Sequence, residues 1–279
     1  MKRKQLIGNL MLLLAAMLWG GTYAIQSLMS KSIGTFTIVF LKTINGFFIL
    51  GYCYIKKKQL RKKAILAGII VGVIGAIGLI CQQMGIGLTS VSKASFISGL
   101  YVMFVPLLGL FTRKKPKPRF WLAIFISFIG MYLLCMSGNE KFGIGDLVVL
   151  ISAVFFAEQI ILIDKFSEEV DNVLAFCGVQ QITICIISSI PVFILEKPQL
   201  NDFNGLLLPI LYVMFLSGMI AQIIQNKYQN SVEPTTASLI MSLESVFGAL
   251  FGWLLLKQTL TFKEIIGCIL MFIAIMVAE

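Results

Sequence analysis

The sequence predicts an all-α polytopic membrane protein, with ten transmembrane helices arranged as two inverted five-helix repeats. Composition is the first of three observations behind this prediction. Hydrophobic residues make up 58% of the chain and charged residues 13%, and the mean hydropathy is +0.93. Because soluble proteins carry about 25% charged residues, this chain is suited to a lipid environment.

The second observation is the number of apolar runs. A helix that crosses the hydrocarbon core needs about 20 mostly apolar residues, and the connectors between the runs are too short for a soluble domain. The predicted spans cover residues 6–28, 33–55, 64–88, 93–112, 119–137, 144–163, 173–195, 205–225, 234–256 and 263–278.

Basic residues predict the orientation of these spans. They cluster before the first run (Lys2–Lys4), after the second (Lys56–Lys63) and after the fourth (Arg113–Arg119). Short basic loops are retained on the cytoplasmic side of a membrane. We therefore expect a multi-pass protein of the cytoplasmic membrane with both termini cytoplasmic. Residues 164–171 then form an acidic cytoplasmic loop.

An internal repeat is the third observation. Residues 94–109 (ASFISGLYVMFVPLLG) align with residues 237–252 (ASLIMSLESVFGALFG), and the same offset pairs Gln82 with Gln225 and Gly75 with Gly218. Since each repeat contains five spans, the second enters the membrane inverted, which is typical of alternating-access transporters. We place the repeats at residues 1–138 and 139–279.

The chain resembles the drug/metabolite transporter superfamily, in its ten-helix branch built from two EamA-type repeats. The resemblance rests on WGGTYAIQ at residues 19–26, on residues 85–109 and on residues 230–256. It implies a carrier of amino acids or related metabolites, often an exporter, with a site between spans one, three, four, six, eight and nine.

Charged residues inside the spans are candidates for coupling or charge recognition, since a charge within a bilayer usually faces a cavity or a partner. Lys42 could attract an anionic group of a substrate or form a structural ion pair. Glu244 could carry a proton, bind a substrate ammonium, or serve as a structural carboxylate. Glu158 lies nearer a span end, where it could simply reach the headgroups.

Polar and aromatic side chains within the spans are candidates for binding a substrate. Buried amides form interhelical hydrogen bonds worth only about 0.6 kcal/mol on average, so several of them suggest a hydrated cavity. Aromatic rings provide flat apolar walls with polar tips. The candidate substrate-binding residues are Trp19, Tyr23, Gln82, Ser98, Tyr101, Gln159, Gln222 and Glu244.

These features favour a secondary transporter of a small polar metabolite, with the proton as a candidate coupling ion. The chain has no histidine and no GxxxxGK[ST] loop, so we expect neither a metal nor another cofactor, and no enzyme activity. The basic residues lie between apolar runs, where membrane anchoring rather than nucleic acid explains them. An integral-membrane enzyme and a non-transporting scaffold are the alternatives. We expect a monomer, with a dimer left open.

Overall fold

The computed structural model describes residues 2–56, 60–110, 117–136, 142–256 and 261–278. Within these ranges the chain is helical and contains no β-strand, which confirms the predicted fold class. The helices are α1 (Arg3–Met29), α2 (Thr35–Ile55), α3 (Lys62–Leu88), α4 (Val91–Gly109), α5 (Pro118–Cys135), α6 (Ile144–Glu169), α7 (Val173–Glu196), α8 (Leu207–Ser231), α9 (Pro234–Phe251) and α10 (Phe262–Ala278).

The lengths of these helices match a bilayer. In the described ranges, α1 to α9 are each long and apolar enough to cross a membrane. Helix α10 has 17 residues, which is close to the lower limit for a spanning helix. Large apolar side chains such as Phe125 and Ile190 project outward and are more than half exposed, as expected of a surface in contact with lipid.

Charged contacts define the two ends of the bundle. At one end Arg61, before α3, pairs with Asp171, before α7, and Lys117 pairs with Glu233. We call this end the basic face. At the other end, the opposite face, Lys93 near the start of α4 pairs with Asp146 near the start of α6.

Close helix packing depends on glycine. A Cβ atom at Gly68 or Gly72 of α3 would come within 3.0 Å of α7 atoms, and one at Gly75 or Gly78 would come within 3.0 Å of α6 side chains. Small residues let helix backbones approach closely in membranes. The α3 glycines therefore form a packing seam that holds α6 and α7 against α3.

Two helices extend further toward the basic face than the sequence predicted. Residues 164–169, expected to belong to a loop, continue α6 as helix, and α8 continues to Ser231 instead of ending near residue 225. The prediction stopped where the residues became polar. The helices continue because polar groups there bond each other across the interface, as when the Ser167 hydroxyl donates to the Asn226 carbonyl at 3.0 Å.

Candidate functional site

A polar cavity lies among the helices, with about 720 Å³ of empty space including the part that opens to solvent. Side chains from both halves of the chain line it, and most are polar or aromatic. The lining residues are Trp19, Thr22, Tyr23, Gln26, Lys42, Thr43, Leu79, Gln82, Tyr101, Phe156, Gln159, Ile160, Gln181, Gly218, Gln222, Gln225, Met241 and Glu244.

Glu244 lies in this cavity at the end of a hydrogen-bond chain. The Tyr23 hydroxyl donates to Glu244 Oε1 at 3.1 Å, and Gln82 Nε2 donates to the Tyr23 oxygen at 3.1 Å and to Ser98 Oγ at 2.8 Å. The chain joins α1, α3 and α4 to α9. Since Glu244 is 7% exposed, the tyrosine hydroxyl replaces part of the solvation that its carboxylate would lose.

The ammonium group of Lys42 faces the same cavity. In the part of the chain that the structure describes, it makes neither a hydrogen bond nor an ion pair, although the residue is 7% exposed. Its backbone is held in place, because Asn45 Nδ2 donates to the Lys42 carbonyl at 2.6 Å. A Cβ atom on Gly218 would lie 2.1 Å from that same carbonyl oxygen. The cavity thus holds a fixed cation and a carboxylate.

Matching distortions in α4 and α9 place Tyr101 and Glu244. At Leu100 the backbone has φ −62° and ψ −9°, and at Leu243 it has φ −63° and ψ −7°. In both cases the amide donates to a carbonyl three residues earlier, at 3.2 Å, as in a 3₁₀ turn. The residue after each distortion lines the cavity, so the two repeat-related positions meet there.

A π-helical stretch, Tyr212–Ile220, forms another wall of the site. Helical turns with i→i+5 hydrogen bonds are rare in proteins, but those that occur are often found at functional sites. Side chains from three other helices donate to its carbonyls. Trp19 Nε1 donates to the Ser217 oxygen at 3.0 Å and Gln181 Nε2 to the Gly218 oxygen at 2.6 Å, while Asn45 donates to the Met214 oxygen. These bonds orient Trp19 and Gln181 along the cavity.

The structure brings most of the sequence-predicted residues together. Those that line the cavity are Trp19, Tyr23, Lys42, Gln82, Tyr101, Gln159, Gln222 and Glu244. Ser98 is fully buried behind Gln82, to which it is hydrogen-bonded. Glu158 is half-buried and is not among the lining residues.

Five further polar residues line the cavity but were not among the predicted site residues: Thr22, Gln26, Thr43, Gln181 and Gln225. Helical spacing gave a signal for three of them. Thr22 and Gln26 follow Trp19 by three and seven residues, which places them on its face of α1, and Gln225 follows Gln222 by three residues in α8.

Across the described ranges, no three His, Cys, Asp or Glu side chains lie together in a manner that could hold a metal ion. No disulfide bond joins any of the six cysteines, and Cys53, Cys135, Cys177 and Cys185 are buried. The chemistry available in the cavity is therefore that of amides, hydroxyls, aromatic rings, one ammonium and one carboxylate.

Comparison with known proteins identifies the family. The sequence matches the EamA-like transporter family twice, over residues 6–136 and 143–278. An uncharacterized transporter of Archaeoglobus fulgidus is 28% identical over 99% of this chain and 87% of its own length. A second one from the same organism is 20% identical over 94% and 93%.

A crystal structure that is 14% identical in sequence superposes with a TM-score of 0.79, covering 97% of this chain and 96% of that one. At this identity the likeness shows the fold alone. Together with the two family matches, the apolar helices and the polar cavity lead to one conclusion: the chain belongs to the EamA-like transporter family.

Proposed function

We propose that this transporter is a secondary carrier that moves a small polar metabolite, an amino acid or a related compound, across the cytoplasmic membrane. The observation that carries the proposal is the cavity, in which Lys42 and Glu244 offer opposite charges within membrane-spanning helices. An amino acid has a carboxylate for the first and an ammonium for the second. Amides and aromatic walls suit the rest of a small polar solute.

Transport proceeds by alternating access between two inverted repeats, residues 1–138 and 139–279. Three features support this part of the proposal. The family matches fall in each of these two segments, the distortions at Leu100 and Leu243 are alike, and the cavity is lined from both segments. In such carriers the substrate site lies near the midplane, at the interface of the repeats.

Orientation follows from charge, since the loops at the basic face carry the basic clusters and this face is therefore cytoplasmic. The resemblance to exporters favours outward movement. Glu244 carries a proton in exchange for the substrate, because it is the carboxyl group that faces the cavity within the membrane-spanning helices. The carrier acts as a monomer, because each chain contains a complete cavity.

Counterflow in liposomes tests this function. Protein reconstituted into vesicles preloaded with unlabelled amino acids should accumulate at least one labelled amino acid from a panel. Glu244→Gln should lower the initial rate about tenfold or more, as loss of an essential group does. When substrate is instead allowed to move down its own gradient, without unlabelled substrate on the other side, a pH-sensitive dye in the lumen should report proton movement in the opposite direction with the wild-type chain only.

Glu158→Gln is the matched control, because that carboxylate lies outside the cavity lining. We expect its rate to stay within about twofold of the wild type. If Glu244→Gln and Glu158→Gln transport equally well, Glu244 has no part in the mechanism. If correctly folded protein gives no counterflow with any amino acid, the proposed substrate class is wrong.

A further inference from the structure

A row of amide side chains leads from the cavity toward the basic face. Gln222 and Gln225 line the cavity. Gln222 Nε2 donates to Gln225 Oε1 at 2.9 Å, Gln225 Nε2 donates to Gln229 Oε1 at 3.0 Å, and Gln229 Nε2 donates to the Ile160 carbonyl at 2.6 Å. From Gln222 to Gln229 the row rises about 10 Å along the helix axis.

Helix α6 provides a second polar wall beside this row. Asp164 and Ser167 follow Ile160 by four and seven residues, so all three lie on one face of α6. The Ser167 hydroxyl donates to the Asn226 carbonyl at 3.0 Å. Asn226 and Gln229 are fully buried, and Asp164 and Ser167 nearly so. We call this set of side chains the polar lane: Gln222, Gln225, Asn226, Gln229, Asp164 and Ser167.

One amide oxygen in the lane lacks a hydrogen-bond donor. Asn226 donates from Nδ2 to the Gln222 carbonyl at 2.9 Å, but its buried Oδ1 accepts no hydrogen bond within the described ranges. A buried acceptor without a donor is costly. The cost is removed when a molecule with an N–H or O–H group, such as water or a polar solute, enters the lane.

The repeat-related part of α3 keeps only two of these four amides. The repeat offset pairs Gln225 and Asn226 with Gln82 and Gln83, but it pairs Gln222 with Leu79 and Gln229 with Ile86. Beyond Gln83, α3 ends in the sequence MGIGL, and a Cβ atom on Gly85 would lie 2.1 Å from the Val149 side chain. Tightly packed apolar groups therefore take the place, toward the opposite face, that Gln229 occupies toward the basic face.

We infer that the polar lane is the route by which water and the polar solute pass between the cavity and the basic face. The inference rests on the proposed transport function and adds a path to it. Gln229 closes the lane by its bond to the Ile160 carbonyl. Neutral amides exchange their hydrogen bonds for bonds to water or solute at small net cost, so the bonds that Gln222, Gln225 and Gln229 make can be replaced when the lane opens.

Labelling with a membrane-impermeant, charged methanethiosulfonate reagent tests the lane without knowledge of the substrate. Single-cysteine substitutions Gln222→Cys, Gln229→Cys and Ser167→Cys are compared with Ile86→Cys and with Ser127→Cys, a buried serine of α5 outside the cavity lining. Ser167→Cys nearly conserves side-chain size, so it reports on the lane even where the glutamine variants fold poorly. Lys165→Cys and Lys263→Cys, both exposed, mark the basic and opposite faces.

The parent protein with its six cysteines gives the background rate. Gln229→Cys and Ser167→Cys should react at least about tenfold faster than Ile86→Cys and Ser127→Cys, because only an accessible thiolate is labelled. They should react from the side that labels Lys165→Cys. All variants must match the parent in melting temperature.

Two results would overturn the inference, and they separate it from the proposed function. If Gln222→Cys reacts while Gln229→Cys and Ser167→Cys are as slow as the controls, the cavity is accessible by another route and transport stands without the lane. If Gln222→Cys is also unreactive from both sides, an accessible cavity is absent and the proposed function fails together with the lane.

Discussion

At the opposite face the ion pair Lys93–Asp146 is buried, whereas at the basic face the ion pairs Arg61–Asp171 and Lys117–Glu233 are exposed. Lys93 and Asp146 pair at 2.6 Å with side-chain exposures of 6% and 1%, and Asp146 also accepts from the Thr89 hydroxyl at 2.7 Å. Arg61 and Asp171 pair with exposures of 62% and 64%. The second basic-face pair, at Lys117, is similarly exposed.

A second, half-buried contact also joins helices at the opposite face. The Glu196 carboxylate, at the end of α7, accepts from the amides of Phe36 and Thr37 and from the Thr37 hydroxyl, all within 2.9 Å. It therefore caps the first turn of α2, where the helix dipole favours a negative charge. The residue after it, Lys197, has φ 45°, a left-handed conformation that ends the helix there.

The helices at the two ends of the bundle therefore differ in how strongly their charged contacts resist separation. Breaking a buried pair leaves an uncompensated charge and is strongly unfavourable, while exposed pairs contribute little and are screened by salt. The opposite face thus needs more free energy to open than the basic face. The amides of the polar lane fit this difference, since they too exchange partners at small cost.

The largest expected effect comes from removing the buried carboxylate charge at the opposite face. Asp146→Asn removes the carboxylate that pairs with the buried Lys93 ammonium, and should lower the free energy of unfolding by about 3–5 kcal/mol. Denaturant unfolding in detergent micelles measures it. Asp171→Asn is the matched control. If Asp146→Asn lowers the free energy of unfolding as little as the control does, this ion pair does not hold the opposite face together.

A smaller effect is expected at the α2 cap. Glu196→Gln keeps the size of the side chain but removes its charge and one acceptor oxygen. Because this residue is only half-buried, we expect a loss of about 1–2 kcal/mol in the free energy of unfolding, in the range of helix-cap substitutions. Thr37→Val, which removes only the hydroxyl donor, should cost less. If Thr37→Val costs more than Glu196→Gln, the carboxylate is not the main cap of α2.

The smallest effect belongs to the basic face. Asp171→Asn should change the free energy of unfolding by less than about 1 kcal/mol, because the ion pair with Arg61 is exposed. The difference from wild type should disappear when unfolding is repeated in high salt. A larger effect that persists in high salt would remove the distinction between the two faces.

Much of the bundle could be predicted, because membrane-spanning helices are recognisable from the length and apolar composition of their segments. The run at 64–88 and helix α3 (Lys62–Leu88) differ by two residues at one end. The ends of α6 and α8 could not be predicted, since their last turns are polar. In those turns Ser167 and Gln229 donate hydrogen bonds to carbonyl groups of the neighbouring helix. Such contacts between helices cannot be read from the sequence.

The candidate site divides in the same way. Trp19, Tyr23 and Glu244 were predictable, because a polar or charged group within an apolar run is expensive unless it faces a cavity or partner. Gln181 and Thr43 were not, since their place in the cavity lining depends on how α2, α7 and α8 pack. The π-helical stretch at Tyr212–Ile220 had no sequence signal either.

By itself, the sequence determined the helical class and the approximate spans, and its internal repeat pointed to Tyr101 and Glu244 as related positions. Each of these depends on local composition and spacing, which the chain carries along its length. Only the tertiary structure decided which side chains share the cavity, which charges are buried at each face, and that a row of hydrogen-bonded amides extends from the cavity toward the basic face. Those features arise from contacts between helices distant in sequence, where burial sets the strength of each charge and hydrogen bond.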